Sequence, residues 1–219
     1  PPPILSLTMG GGPAWLPDSR SLLATLVPAG RGAEPEAPRK PTGPVIQQNV
    51  GKTAPARTYQ DLLEDTYDEQ LFEHYATAQL ARVAVDGTIH PVGEPGLIWR
   101  ADPSPDGRFL LVETLHRPFS YLVPAYRFPR RIDVLGVEGR HVYRLADLPL
   151  QEEVPIAFGS VPTGPRSAEW RADAPATLVW TEAQDGGNAG REAEIRDIVF
   201  RSEEHTSELQ SQFRISYAV

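Results

Sequence analysis

Three stretches of the chain share a pattern that strongly restricts its fold: an aspartate in a tight turn, followed by an apolar run of strand length. Proline presets the backbone of such a turn, aspartate bonds to its own backbone, and glycine accepts a positive φ. An apolar run bounded by turn residues is typical of a β-strand. The stretches are 14–27, 100–115 and 169–182, with Asp18, Asp106 and Asp173 in their turns.

A second repeated unit lies between these stretches and predicts β-hairpins at 80–93 and 132–145, where alternating apolar residues flank Asp-Gly and Glu-Gly bends. The bends are about 50 residues apart, close to the ~40–50 residues of one four-stranded propeller blade. The 23 prolines and 18 glycines also suit many short strands. The pattern predicts an all-β chain, a partial β-propeller of two to three four-stranded blades. A β-sandwich is the alternative.

An insertion at 29–76 separates the first two turn units. Its first part, 29–55, is rich in glycine, proline and charged residues and indicates an irregular surface segment. Its second part predicts one helix over 58–76, with Thr58 as the N-cap, acidic first turns and an apolar face. The acidic residues outside the apolar face are interpreted as a face of the helix that is exposed to solvent. They are Asp61, Glu64, Asp65, Asp68, Glu69 and Glu73.

Composition excludes several classes of protein. The net charge of −8 argues against a general nucleic-acid partner, and no apolar run is long enough to span a membrane. With no cysteine, a disulfide scaffold and a thiol nucleophile are excluded, while the compartment stays open. The sequence contains no Gly-x-Ser-x-Gly elbow, phosphate-binding loop or His-Glu-x-x-His motif, and its histidines lack metal-ligand spacing. We therefore expect no catalytic residue, no metal and no cofactor in this chain.

One segment, 116–131, is unusually basic and aromatic for an acidic protein, and we call it the basic segment. Such a connection between two strands is a candidate ligand-facing loop. Its alternative role is structural, with the aromatic rings packed on a neighbouring blade and the arginines solvated. The candidate substrate-binding residues are Arg117, Arg127, Arg130 and Arg131.

Several long runs resemble the glutamyl endopeptidase branch of the prolyl oligopeptidase family of serine peptidases. In that family a β-propeller covers a C-terminal α/β-hydrolase domain that carries a Ser-Asp-His triad, and cleavage follows glutamate. The resemblance covers 13–200, and none of the triad residues has a counterpart here. The runs, in chain order, are RTYQDLLEDTYDEQLFEHYATAQL, DPSPDG, HRPFSYLVPAYRFPRR, LADLPLQEEVPIAFGSV, EWRADAPATLVW and EAQDGG.

The resemblance implies a propeller fragment that gates and shapes peptide substrates for a hydrolase domain lying outside this chain. Its partners would be the peptide substrate and that domain. An arginine fork is the group best suited to grip a glutamate carboxylate, so the basic segment is the local candidate for substrate recognition. The alternative function is a stand-alone propeller that serves as a binding scaffold without catalysis.

The C-terminal residues 201–219 have a different origin in our interpretation. RSEEHTSELQS at 201–211 and ISYAV at 215–219 match, in one frame, the translation of a common short-read sequencing adaptor. We therefore divide the chain into a partial propeller at 1–200 and a non-native tail at 201–219. A tail that was never selected to bury an apolar face is expected not to join a blade.

Overall fold

The computed structural model describes residues 3–38, 59–154, 159–203 and 214–218, and most of its regular structure is β. Twelve strands in these residues form three antiparallel sheets of four strands each. In every sheet the strands lie side by side in chain order, so each sheet is a meander. The prediction of an all-β chain with two to three four-stranded units and one helix is confirmed.

Sheet 1 contains β1 (Ala14–Trp15), β2 (Ser21–Leu26), β3 (Gln79–Ala84) and β4 (Ile89–Pro91). The Asp18 turn joins β1 to β2, and the Asp18 carboxylate stabilises it by accepting hydrogen bonds from the backbone N–H groups of Arg20 and of Ser21, the first residue of β2.

Sheet 2 contains β5 (Leu97–Pro103), β6 (Phe109–Leu115), β7 (Arg130–Gly136) and β8 (His141–Leu148). The predicted second hairpin joins β7 to β8, and its Gly139 has a φ of +92°. A Cβ at this position would also collide with the backbone of a neighbouring loop, so the bend requires glycine.

Sheet 3 contains β9 (Arg166–Trp170), β10 (Leu178–Ala183), β11 (Asp197–Glu203) and β12 (Arg214–Ala218). In all three sheets an aspartate-containing turn joins the first strand to the second, as the repeated pattern predicts.

The backbone of the C-terminal tail differs from our expectation. Residues 201–203 extend β11, and β12 pairs with β11 along its whole length. The expectation that the tail would not join a sheet is therefore wrong for 214–218. The physical reason is that β11 would otherwise leave an edge of unpaired backbone groups, with which the backbone of a short segment containing Ile215 and Tyr217 can pair. The same expectation leaves three apolar tail side chains unburied, those of Leu209, Phe213 and Ile215, and their burial lies outside what the structure describes.

The three sheets stack face to face with sheet 2 in the middle. Successive side chains of β6 point to opposite faces, so Leu110 and Val112 enter the core shared with sheet 1 while Leu111 enters the core shared with sheet 3. All three side chains are buried. A strand covered on both faces explains why the sequence there is a continuous apolar run rather than an alternating one.

The first strands of sheets 2 and 3 are also tied directly to each other. The indole Nε1 of Trp170 donates to the backbone oxygen of Asp102 at 3.0 Å, and Arg100 donates to the backbone oxygen of Ala168 at 3.1 Å. Arg100 is held by the Asp102 side chain as well. These contacts place β5 and β9 next to each other at one edge of the stack.

The helix α1 (Thr66–Ala76) begins later than the sequence predicts. Asp65 is its N-cap, and the Asp65 carboxylate accepts from the backbone N–H groups of Tyr67 and Asp68. The predicted start at 58 is wrong, because an aspartate with two capping bonds close to the first apolar contacts is the stronger N-terminal signal. Thr58 itself lies outside the described residues.

The Asp106 turn between β5 and β6 predicts a measurable pH effect. Burial tends to raise the pKa of Asp106, but hydrogen bonds from Ser104 and from the backbone N–H and side chain of Arg108 outweigh it and hold the pKa below its ordinary value. A carboxylate with a lowered folded-state pKa stabilises the protein above about pH 4, and this contribution disappears as the pH falls through the folded-state value.

We therefore expect Asp106→Asn to lower the free energy of unfolding by about 1 kcal/mol at pH 7 and by progressively less as the pH falls below about 4. Urea denaturation of the chain at pH 7 and at a series of pH values below 4 measures the difference. The control is Glu94→Gln, which removes an exposed carboxylate and should change little across the series. An Asp106→Asn effect that does not diminish as the pH falls contradicts the assigned role of this carboxylate.

Candidate functional site

The basic segment connects β6 to β7 and folds back on itself where the two strands end. The backbone N–H of His116 donates to the backbone oxygen of Pro129 at 2.9 Å, which closes the base of the loop. A short 3-10 turn at Ala125–Arg127 lies near its C-terminal end. The segment is therefore an ordered connection that leaves sheet 2 at the end opposite to the Asp106 turn.

Aromatic residues anchor the basic segment to α1. The rings of Phe119 and Phe128 stack with centroids 5.2 Å apart, and the ring of Phe72 on α1 meets both edge-on at 5.2 and 5.9 Å. Phe119 and Phe128 are buried together with Leu97 and Leu115 from sheet 2. This cluster, which we call the cap core, joins the helix, the basic segment and the end of sheet 2 into one packed unit.

Arg117 is held by two carboxylates of α1. Its Nε and Nη2 donate to the two oxygens of Glu73 at 2.8 and 3.0 Å, and its Nη1 donates to Glu69. Tyr121 donates from its hydroxyl to the other oxygen of Glu69 at 2.8 Å. Arg117 also lies 4.7 Å above the ring of Phe119. Three of its five N–H donors are thus used by carboxylates of α1, although 49% of the side chain is exposed.

These contacts perturb both partners electrostatically. Burial tends to raise the pKa of Glu69, but the hydrogen bonds from Arg117 and Tyr121 outweigh it and hold the pKa below its ordinary value. The hydrogen bonds to Glu73 and then Glu69 raise the pKa of Arg117. The interpretation of the helix acids as a solvated face is wrong for these two, because they form ion pairs with the basic segment.

Arg127 and Arg130 face inward as well. Arg127 donates from Nη1 to the backbone oxygens of Gln151 at 3.3 Å and Val154 at 3.2 Å, and so ties the segment to the connection that follows β8. Arg130 forms a hydrogen bond with Glu113 at 3.1 Å and lies 5.3 Å above the ring of Trp99. Only 14% of the Arg130 side chain is exposed. Both guanidinium groups hold protein atoms together.

Of the four candidate arginines, Arg131 makes the fewest contacts with protein groups in the described residues. In the described residues its ion pair is with Asp147 on β8, where Nε and Oδ2 are 3.4 Å apart, and 45% of its side chain is exposed. Asp147 is shared with His116. Arg131 therefore keeps donor capacity that faces solvent.

The four arginines point to different partners and do not converge on one point. This pattern favours the structural alternative for most of the basic segment, with one change: the arginines are paired with carboxylates and carbonyl groups, although Arg117 and Arg131 are also about half exposed. No contact seen here tests whether any of them meets a substrate, so that role stays a prediction.

Sequence reasoning missed the carboxylates that receive these cations: Glu69, Glu73, Glu113 and Asp147. Glu69 and Glu73 are four residues apart, a spacing that places two side chains on one side of a helix, and that signal was available. Glu113 follows a buried apolar run in β6, where a carboxylate needs a paired cation.

The described ranges contain no group of three or more His, Asp or Glu side chains arranged to hold a metal ion. Within the same ranges, no helix is both long and apolar enough to cross a lipid bilayer.

Comparison with known proteins identifies two plant relatives. The chain is 47% identical over 187 residues to a protein of Oryza sativa subsp. japonica, and 48% identical over 187 residues to one of Arabidopsis thaliana. Both are named "Probable glutamyl endopeptidase, chloroplastic". The chain is a homologue of these glutamyl endopeptidases.

The homology covers 85% of this chain but only 20% and 19% of the two glutamyl endopeptidases. The chain thus spans about a fifth of the length of the curated relatives that it matches. No family model and no solved structure matches the chain. The resemblance to glutamyl endopeptidases that the sequence runs indicated is confirmed.

Proposed function

We propose that this chain is part of the non-catalytic, substrate-gating portion of a serine endopeptidase of the prolyl oligopeptidase family that cleaves peptides after glutamate. The observation that carries the proposal is 47–48% identity over 187 residues to proteins named glutamyl endopeptidase. Identity at this level over most of the chain supports common ancestry with a peptidase. Because the chain matches only about a fifth of each relative, the rest of such a protein is long enough to contain a catalytic domain.

The architecture supports the gating part of the proposal. Three four-stranded meanders stacked face to face, with the first strands of sheets 2 and 3 in contact, are what successive blades of a β-propeller require. A closed propeller is rigid and leaves a central channel. Docked on a hydrolase domain, such a channel admits extended peptides and excludes folded proteins by size alone.

The catalytic groups of the proposed enzyme lie in a hydrolase domain outside this chain, since the sequence contains no Gly-x-Ser-x-Gly elbow. The direct test is to recover the parent reading frame, express the parent protein, and assay glutamyl peptides with and without a serine-directed inhibitor. We expect such an elbow downstream and turnover that the inhibitor abolishes. Turnover that depends instead on a metal or a thiol overturns the serine mechanism. A parent protein that binds peptides without hydrolysing them supports the scaffold alternative.

The basic segment makes a sharper prediction about substrate recognition in the parent protein. If Arg131, with its exposed donor capacity, meets the substrate carboxylate, Arg131→Ala should lower kcat/KM for a glutamyl peptide at least about 10-fold more than for the matched glutaminyl peptide, since a charge-assisted hydrogen bond contributes about 1.5–3 kcal/mol. Arg117→Ala is the matched control. Three of its N–H donors bond to Glu69 and Glu73 of α1, and if this structural role is its main one, both peptides should lose rate equally. If the ratio of kcat/KM for the glutamyl peptide to kcat/KM for the glutaminyl peptide is unchanged in Arg131→Ala, this residue does not recognise the substrate carboxylate.

We also propose that residues 201–219 are a translated sequencing adaptor and not part of the natural protein. Its support is the in-frame match of two separate runs to one adaptor. Independent sequencing of the gene from an unamplified library tests it. We expect different residues after Phe200 that continue the parent protein, and recovery of the same residues from genomic DNA would overturn this origin.

A further inference from the structure

The face of sheet 1 that points away from sheet 2 carries an apolar row across all four strands. The row, in register from β1 to β4, is Trp15, Leu22, Val83 and Ile89. Paired residues direct their side chains to the same side of a sheet, and the neighbouring Leu23 enters the core shared with sheet 2, so the row lies on the opposite side. We call this side the outer face of sheet 1. Trp15 is 59% exposed there, and the other three side chains are partly exposed.

The position of Trp15 has a counterpart in each of the other two sheets. Trp15, Pro103 and Trp170 lie on the first strand of their sheet, three residues before the aspartate of the turn that follows. Pro103 is paired with Leu110, which is buried in the core shared with sheet 1. Trp170 is paired with Leu178, which is buried in the core shared with sheet 2. In sheets 2 and 3 this position therefore faces an adjacent sheet, whereas in sheet 1 it is exposed.

Trp170 shows what an adjacent sheet offers to a tryptophan at this position. Its ring packs against the core that contains Leu111 and Val134 from the central strands of sheet 2. Its Nε1 donates to the backbone oxygen of Asp102, on the first strand of sheet 2, at 3.0 Å. An indole combines a large apolar surface with one N–H donor, and this pairing satisfies both. Trp15 is the same residue type at the equivalent position.

We propose that the outer face of sheet 1 binds a further four-stranded antiparallel sheet from the part of the parent protein outside this chain, and that Trp15 donates to a backbone oxygen of that sheet's first strand. The interface continues the one between sheets 2 and 3. It rests on the proposed function only for the existence of a larger parent protein. The chain spans about a fifth of its relatives, so such a protein is long enough to supply the sheet.

A second copy of this chain is a poorer occupant of the outer face. Its exposed sheet face would be that of sheet 3 directed away from sheet 2, where Glu169, Val179 and Arg201 lie in register. The row on sheet 1 contains no charged residue. Burying charged groups against apolar side chains costs free energy, so these two faces match poorly.

Hydroxyl-radical footprinting, read by mass spectrometry, measures whether Trp15 is covered. We expect the oxidation rate of Trp15 to be at least about fivefold lower in the parent protein than in the 219-residue chain, because a packed tryptophan loses most of its accessible area. Trp170 is the matched reference: it already packs on sheet 2, so its rate should be the same in both proteins.

Equal Trp15 rates in the two proteins overturn the proposal. A low Trp15 rate in the 219-residue chain itself also overturns it, because another segment of the chain then covers the outer face. If that rate falls as the chain concentration rises, the occupant is a second copy, and the proposal is equally wrong.

Photo-crosslinking from position 15 of the parent protein identifies the occupant. With p-benzoylphenylalanine substituted for Trp15, we expect cross-linked peptides outside 1–200, in a segment with an aspartate-containing turn followed by an apolar strand. The same substitution for Trp170 is the control and should cross-link to sheet 2. A cross-link from position 15 to the segment with the Gly-x-Ser-x-Gly elbow, or to 1–200, overturns the proposal. Neither measurement uses peptide hydrolysis, so a parent protein that fails to cleave glutamyl peptides contradicts the proposed function and leaves this interface standing.

Discussion

Phe128→Ala should lower the free energy of unfolding by about 3–5 kcal/mol, because truncating a buried phenylalanine loses its apolar burial and leaves a cavity. Phe128 is only 2% exposed and contacts rings from both α1 and the basic segment. Its removal therefore weakens the cap core, the main apolar attachment of α1 to sheet 2. Urea denaturation of the chain, followed by tryptophan fluorescence, measures the change.

Leu122→Ala is the control for this prediction. Leu122 belongs to the same segment but is 49% exposed, so its truncation should cost no more than about 0.5 kcal/mol. Similar losses for the two variants would mean that the basic segment does not pack on the helix as described.

The parts of the fold that sequence predicts well are those fixed by local chemistry. The Asp18 and Asp106 turns and the glycine bend at Gly139 depend on residues within a few positions of one another, and each appears where the pattern places it. The four strands of each sheet could be predicted as well, because aspartate-containing turns alternate with hairpin bends along the chain. The helix start was misplaced because both Thr58 and Asp65 are residue types that can act as an N-cap, and the structure shows that Asp65 makes the two capping bonds.

The site was harder to predict because its contacts are distant in sequence. Arg117 and Glu73 are 44 positions apart and Arg130 and Glu113 are 17 apart, so composition identified the cations but not their partners. The basic and aromatic composition of the segment fits both a ligand-facing loop and a structural connection, so it does not decide between them. Only the arrangement of α1 over sheet 2 shows that Arg117 forms ion pairs with Glu69 and Glu73, whereas the ion pair of Arg131 is with Asp147.

The 219-residue chain by itself should show no measurable hydrolysis of glutamyl peptides. Acyl transfer requires an activated nucleophile, a general base and donors for the developing oxyanion, and the family to which we assign the parent protein carries these in its hydrolase domain. Assays of the purified chain and the parent protein at equal concentration test this. Turnover by the chain that a serine-directed inhibitor abolishes would contradict the division between gating and catalytic parts.

The central claim, that this chain is the non-catalytic part of a glutamyl-specific serine endopeptidase, is tested most directly by kcat/KM of the parent protein on matched glutamyl and glutaminyl peptides. The account predicts cleavage after glutamate at least about 10-fold faster than after glutamine, the smaller end of what one charge-assisted contact supplies, with all activity lost to a serine-directed inhibitor. Equal rates on the two peptides, or activity that the inhibitor leaves intact, would contradict it.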